Sequence, residues 1–165
     1  MIKIVQAPNE IKLKRNSIKL FLAGGIRSCP HWQDEICEKL LKEKRFDEYD
    51  MDIVIFNPRC KEEPEEEAQI KWEYDKLKKS NIHSFWFSEG SLNPITLFEY
   101  GAHFKTKTKT TIVGCHMNYP RRSNVIIQTK LHNPYFRIVD TLEDFYEDIV
   151  LTIIDSFIIK SGKKV

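Results

Sequence analysis

The chain has 165 residues, of which 41% are hydrophobic, enough for one domain with a buried core. Its 26 basic and 24 acidic residues give a net charge of +2, which argues against a nucleic acid or an anionic membrane as the partner. The longest apolar runs fall far short of the roughly 20 residues of a membrane span, and the N-terminal residues show no signal-peptide pattern. We therefore expect a soluble cytoplasmic protein.

Short apolar segments alternate with amphipathic segments along the chain. Apolar runs such as 51–56 (MDIVIF) are typical of strands, and the helical spacing of apolar side chains in the other segments is typical of helices. Residues 1–17 do not fit this alternation and are expected to form an extra edge strand or a hairpin. In chain order the predicted elements are a strand at 18–23, a helix at 32–44, a strand at 51–56, a helix at 65–79, a strand at 82–87, a helix at 94–105, a strand at 110–115, a helix at 123–131, a strand at 136–139 and a helix at 142–159.

Strands that alternate with helices predict parallel βαβ units. The pattern therefore predicts a single domain over residues 1–165 of the α/β class. We expect a flavodoxin-like (Rossmann-like) three-layer sandwich, in which helices cover both faces of a five-stranded parallel sheet of order 2-1-3-4-5.

The strand order predicts where a ligand would bind. In an open parallel sheet, ligands bind beyond the carboxyl ends of the strands, at the point where the strand order reverses. For this order, that point lies between the first strand, which ends at Gly24 and Gly25, and the third strand, which the loop 88–93 follows. Because the next helix carries Glu99, the fold is expected to bring Glu99 to the glycine turn.

Both the glycine pair and Asn93 have a structural as well as a functional interpretation. Gly24 and Gly25 permit positive φ angles and the close approach of a phosphate or sugar to the backbone, or they make a tight turn without any ligand. The chain contains neither a dinucleotide-binding nor a phosphate-loop glycine motif. Asn93 followed by Pro94 is typical of a helix N-cap and its first helical residue.

Two glutamates are candidates for chemistry. Glu99 lies in the second turn of its helix among large apolar residues, where it is either an exposed helix position or a site residue. Glu73 lies on the helix that leads into the third strand. It faces either the same crevice or the solvent, and the spacing of charges on this helix favours the solvent.

Several stretches together carry a resemblance to a known family. In their order and spacing they resemble the nucleoside 2-deoxyribosyltransferase family, in particular its small deoxyribosyltransferase-like members. The resemblance implies a flavodoxin-like fold and a retaining, two-step exchange of a nucleobase on a 2-deoxyribosyl group. The matching stretches are FLAGGI (21–26) with Trp32-Gln33, FNPR (56–59), QIKWE (69–73), FWF (85–87), NPITLFEYG (93–101) and IVGCHMNYPRRSNVIIQ (112–128).

The resemblance also implies roles for individual residues. The nucleophilic glutamate of the family falls on Glu99, and an acid that contacts the base falls on Glu73. An acid that helps to bind the substrate falls on Asn93, which is uncharged in this chain. An asparagine after the fourth strand matches Asn124, and the glycine turn that borders the sugar matches residues 24–25.

These residues would cleave a C1′–N bond. The Glu99 carboxylate would form a glycosyl ester, and Glu73 would supply the proton that the leaving base takes up. If a second base attacks the ester the protein is a transferase, and if water attacks it the protein is an N-glycoside hydrolase. A non-catalytic protein that binds a nucleotide or sugar nucleotide is the third alternative.

The expected ligand is a nucleoside or nucleotide, and no cofactor is expected. A nucleotide would require a phosphate anchor, for which Ser91 and the loop arginines are candidates; these are Arg27, Arg121 and Arg122, with Ser28 nearby. The four cysteines include no C-x-x-C pair, and the sequence predicts no metal site.

The last predicted helix carries more apolar residues than one core-facing stripe requires. This pattern, together with the tendency of the resembling transferases to assemble, predicts a homo-oligomer. The alternative is that residues 1–17 cover the second apolar face within the monomer.

Overall fold

The computed structural model describes residues 1–60, 65–106 and 108–162. Across these ranges, no helix has both the length and the apolar composition that crossing a membrane requires. The elements in chain order are β1 (Ile2–Gln6), β2 (Ile18–Gly24), α1 (Trp32–Leu41), a short 3-10 helix (Lys44–Glu48), β3 (Ile53–Asn57), α2 (Glu66–Lys79), β4 (Ile82–Phe87), α3 (Pro94–His103), β5 (Thr110–Cys115), α4 (Arg122–His132) and α5 (Leu142–Ser161).

The strands form one parallel sheet of five strands in the order β1-β3-β2-β4-β5. Residues of α1 and α5 pack against one face of the sheet, and residues of α2, α3 and α4 pack against the other. The predicted α/β class and three-layer arrangement are confirmed, as is the relative order of the four strands β3, β2, β4 and β5.

One edge of the sheet differs from the prediction, and the other is the extra edge strand that was one of the two alternatives for residues 1–17. Of residues 136–139, all of which the structure describes, Val139 forms an isolated bridge with Gly114, and the segment is not a strand. The carbonyl of Phe136 instead accepts a hydrogen bond of 2.7 Å from Lys130 Nζ. The fifth strand is β1 at the opposite edge, which pairs in parallel with β3.

The interior strands β3 and β4 are buried along their whole length because helices cover both faces. Successive side chains of a strand point to opposite faces, so Leu20 and Leu22 join the layer under α1 and α5. Phe21 and Ala23 join the layer under α2, α3 and α4. The loops that follow β2 and β4 therefore lie together beyond the C-terminal ends of these neighbouring strands.

Helix α5 uses most of its broad apolar pattern within the chain. It begins after Thr141, whose hydroxyl accepts a hydrogen bond from the Asp144 N–H at 3.1 Å. Leu151 and Ile159 are exposed. The residues of α5 that are buried are Phe145, Tyr146, Ile149, Val150 and Ile153.

Candidate functional site

The turn at the end of β2 leaves neither of its glycines room for a side chain. A Cβ on Gly24 would lie 2.4 Å from Trp32 Cζ2 and 2.6 Å from the Trp86 carbonyl oxygen. A Cβ on Gly25 would lie 2.0 Å from Asn93 Oδ1. Neither glycine adopts a positive φ. The close approach of neighbouring groups, and not the turn conformation, therefore requires glycine at both positions.

A buried hydrogen-bond network holds this glycine turn in place. Gln33 Nε2 donates to the carbonyl oxygens of Gly24 and Gly25, at 3.4 and 3.3 Å. The Gln33 amide oxygen in turn accepts from Arg59, at 3.3 Å from Nε and 3.2 Å from a terminal nitrogen. Trp32 Nε1 also donates to Gly25. These residues lie in stretches that resemble the family, but no pattern in the sequence predicted that they support the turn.

Asn93 occupies the N-cap position of α3 but does not cap the helix. Its backbone is in the left-handed region, with φ 46° and ψ 54°, and its side chain makes no capping hydrogen bond. Instead, Oδ1 accepts a hydrogen bond of 3.3 Å from Cys29 Sγ, and the backbone N–H donates to Ser91 Oγ at 3.3 Å. Asn93 thus lies at the predicted N-cap position, but within the described residues its side chain does not make the capping hydrogen bond that this position predicts.

Two buried polar atoms beside the glycine turn have no hydrogen-bond partner within the described ranges. They are Asn93 Nδ2 and Ser88 Oγ, and the two side chains are 4% and 2% exposed. A buried polar group without a partner costs roughly 1–3 kcal/mol, and native proteins rarely tolerate one without a function. Both atoms are therefore available to a polar ligand.

Glu99 is half-buried on α3. Burial raises the pKa of Glu99 to about 8, and the nearby charge of Glu73 contributes to the increase. The interpretation of Glu99 as an exposed helix position is therefore wrong. Near neutral pH this carboxyl group is largely protonated.

Glu73 is half-buried on α2, close enough to Glu99 for the two charges to interact. The preference for solvent inferred from charge spacing is therefore wrong. Burial raises the pKa of Glu73, while a hydrogen bond from Gln69 opposes the increase. That bond joins Gln69 Nε2 to Glu73 Oε1 at 2.6 Å. Two carboxyl groups from neighbouring helices therefore form one coupled pair.

Asn124 lies in a different depression, a groove of about 450 Å³ between α3 and α4. Leu97 and Gly101 line the α3 side of this groove. Glu99 points away from it, because it lies about 200° around the helix from each of them. Within one chain, the structure therefore does not bring Asn124 together with Glu99.

The candidate phosphate anchors have different surroundings. Arg122 donates to the Cys115 carbonyl oxygen and, at 2.5 Å, to Asp140 Oδ1, so its guanidinium is occupied in holding the end of β5. Arg121 is exposed and lines the α3–α4 groove. Ser91 is half-buried, and its hydroxyl accepts a hydrogen bond from the Asn93 N–H.

The arrangement places two half-buried carboxyl groups close enough for the charge of Glu73 to act on Glu99. Two carboxyl groups with different pKa values can act as general acid and carboxylate at the same pH. In the described parts of the chain, no group of three or more potential ligands is placed to hold a metal ion. The four cysteines are free thiols.

Comparison with known proteins gives one family. A family model described as nucleoside 2-deoxyribosyltransferase like matches residues 17–119. The matched range, which is more than half of the chain, includes the glycine turn, Asn93 and both glutamates of the pair, and it ends before Asn124. No curated protein matches the chain.

Proposed function

Because the chain belongs to the nucleoside 2-deoxyribosyltransferase-like family, we propose that it cleaves the C1′–N bond of a nucleoside or nucleotide by forming a covalent glycosyl intermediate on Glu99. The observation that carries this proposal is that Glu99 and Glu73, both half-buried, lie close enough for the charge of Glu73 to act on Glu99. Perturbed carboxyl pairs of this kind are typical of acid and nucleophile pairs in glycosyl transfer.

The reaction needs one carboxylate and one carboxylic acid. The ionised Glu99 attacks C1′ on the face opposite the base, and the electron pair of the C1′–N bond leaves with the base. The protonated Glu73 gives its proton to the base, so that a neutral base departs. A second base or a water molecule then attacks C1′ and gives its proton to the Glu73 carboxylate, which breaks the ester and returns Glu99 as a carboxylate.

The surroundings of the pair suit a sugar. The close packing of Gly24 and Gly25 brings Trp32 and Asn93 against the backbone of the turn, and a sugar would lie against the groups packed there. Asn93 Nδ2 and Ser88 Oγ supply donors that no group of the described chain uses. The sugar oxygens would accept hydrogen bonds from them, and Ser91 would hold Asn93 in its left-handed conformation.

The test is an incubation of the purified protein with a panel of nucleosides and nucleotides, with and without an added free base. Mass spectrometry then measures the released base and any exchanged product. We expect the release of base in the wild type and its loss in Glu99→Ala. Glu66→Ala, which changes an exposed glutamate of α2, serves as the control and should behave as the wild type.

The outcome also separates the alternatives. Release that requires an acceptor base indicates a transferase, and release without one indicates a hydrolase. Ligand binding that shifts the melting temperature without any release would indicate a binding protein. Turnover that persists in Glu99→Ala would contradict the assignment of the nucleophile.

We further expect copies of the chain to associate through α3 and α4. Ile95 and Phe98 on α3, and Ile127 and Leu131 on α4, are exposed large apolar residues. Apolar surface of this kind favours contact with another protein surface. Light scattering should therefore give a mass above 19.5 kDa, and Phe98→Glu should reduce it. A monomeric wild type would contradict this expectation.

A further inference from the structure

Gln69 connects the end of β3 to the carboxyl pair. Its Nε2 donates to the Pro58 carbonyl oxygen at 2.8 Å and to Glu73 Oε1 at 2.6 Å. Its Oε1 accepts a hydrogen bond of 3.1 Å from Cys60 Sγ. Gln69 and Glu73 lie one helical turn apart on α2, so their side chains share a face of the helix.

These contacts fix the orientation of the carboxamide. If the amide were turned over, its oxygen would face the Pro58 carbonyl oxygen, and two acceptors would meet without a proton between them. The Cys60 thiol would then point to an NH₂ group, which is a donor. Gln69 is therefore held as a donor to Glu73 and cannot accept a hydrogen bond from it.

We propose that Gln69 is a positioning residue for this site: by donating to Glu73 it holds that carboxyl group in the ionised form, and the single proton of the pair therefore resides on Glu99 while the site is empty. A donor stabilises a carboxylate more than a carboxylic acid, because the charged oxygen is the stronger acceptor. This inference rests on the proposed function for its chemical meaning, but it concerns the location of a proton that can be measured without a substrate.

Few other titratable groups act on the pair. From the segment after β3, the Cys60 thiol lies near Glu73; burial raises the pKa of the thiol, and the charge of Glu73 adds to the increase. From α3, Glu99 is the other acid, and Glu73 is the charged group that acts on it. Because the described chain places no cation at the pair, the donor from Gln69 is the contact that distinguishes its two members.

The inference adds a step to the proposed reaction. Glu99 must lose its proton before it can attack C1′, and Glu73 must gain one before it can protonate the base. A single proton transfer from Glu99 to Glu73 satisfies both requirements, and the base then carries that proton away as the C1′–N bond breaks. The Gln69 hydrogen bond opposes this transfer in the empty site, so the nucleophile stays masked until a substrate is bound.

The test is a carboxyl ¹³C NMR titration of the full-length protein labelled at the glutamate side-chain carboxyl carbon. Glu73→Gln and Glu99→Gln assign the two signals. In the wild type, we expect the Glu73 signal to titrate at lower pH and the Glu99 signal at higher pH. In Gln69→Met, which keeps the length of the side chain without its donor, we expect about a tenfold shift toward the form with the proton on Glu73.

Two further variants make the result unambiguous. Gln128→Met, on the exposed side of α4, is the matched control and should leave both titrations unchanged. If Gln69→Met fails to fold, Cys60→Ala removes the thiol that fixes Gln69 and should give a smaller shift in the same direction.

Either of two results would overturn the inference. The first is a Gln69→Met variant, or a Cys60→Ala variant where Gln69→Met does not fold, whose two glutamates titrate as in the wild type. The second is a wild type in which Glu73 keeps its proton to higher pH than Glu99. Neither result depends on activity. If the titrations behave as expected but no base is released from any substrate, the proposed function fails while the position of the proton stands. If base is released and Glu99→Ala abolishes the release, unchanged titrations reject the role of Gln69 alone.

Discussion

The backbone of Gly25 lies directly against the side chain of Asn93, since a Cβ on Gly25 would fall 2.0 Å from Asn93 Oδ1 and 2.4 Å from Cys29 Sγ. This contact joins the turn after β2 to the loop after β4, the two loops between which the strand order reverses. It also leaves the Asn93 amide nitrogen without a partner in the described chain. The substrate-binding role proposed for Asn93 therefore depends on glycine at position 25.

Gly25→Ala tests this dependence. The added methyl group must displace Asn93 or Cys29, and such overpacking in a close-packed region costs about 1–3 kcal/mol of the free energy of unfolding. We expect a loss of this size in urea denaturation, together with a loss of base release. Gly101→Ala is the matched control, because no atom lies within 4 Å of its Cβ and alanine suits a helix better than glycine. If the two variants had the same free energy of unfolding and the same base release, the contact between Gly25 and Asn93 would have no role in stability or activity.

Asn93→Asp tests whether Nδ2 donates to the substrate. Aspartate tolerates the left-handed conformation and keeps the oxygen that Cys29 contacts, so the free energy of unfolding should change by less than about 1 kcal/mol. The carboxylate cannot donate a hydrogen bond, and we expect KM to rise by about tenfold. An unchanged KM in steady-state kinetics would mean that the substrate does not contact Nδ2.

The dependence of kcat/KM on pH should show the shared proton. The pair is active with one proton, so kcat/KM of the wild type should fall as the pH rises past about 8, where the pair loses that proton. At the acidic end kcat/KM should fall as Glu73 also becomes protonated. A profile without a decrease at alkaline pH would contradict the need for the proton.

Glu73→Gln removes both the acid and the charge that acts on Glu99. We expect kcat to fall by about 10²–10⁴, the usual contribution of a general acid. Without the charge of Glu73, the pKa of Glu99 should decrease. Glu99 should then ionise at lower pH, and kcat/KM of the variant should no longer fall at alkaline pH. Steady-state kinetics from pH 5 to pH 10 measure both effects. A variant with the wild-type rate would remove Glu73 from the mechanism.

The raised pKa of Glu99 also predicts how stability depends on pH. Its pKa is about 8 in the folded protein and near the ordinary value of 4.5 in an unfolded chain. The folded state therefore binds this proton more tightly, and the cost of ionising Glu99 grows between pH 4.5 and pH 8. Glu99→Gln removes the cost, so the variant should be as stable as the wild type at pH 4 and about 5 kcal/mol more stable at pH 9.

Urea denaturation at the two pH values measures this difference. Glu66→Gln, at an exposed position of α2, is the control and should follow the wild type at both. If Glu99→Gln showed the same stability relative to the wild type at pH 4 and pH 9, the burial of Glu99 would not perturb its pKa.

Apolar periodicity is a property of neighbouring residues, so the amino-acid pattern was enough to predict the alternation of strands and helices. That alternation predicted the α/β class, and the reversal of strand order predicted that the glycine turn would lie near the loop before α3. The edge strand that was one of the two alternatives for residues 1–17 is β1, which pairs with β3. The other edge was not predicted, because Val139 forms only a bridge with Gly114 where a strand was expected.

The tertiary structure alone decided the directions of the side chains. Glu73 could face the solvent or the crevice on its helix, and packing between α2 and α3 placed it beside Glu99. The contact of Asn93 with Gly25 and the fixed orientation of Gln69 depend on groups far away in the chain. Such contacts arise from the way the elements pack, and a local pattern of residues carries no information about them.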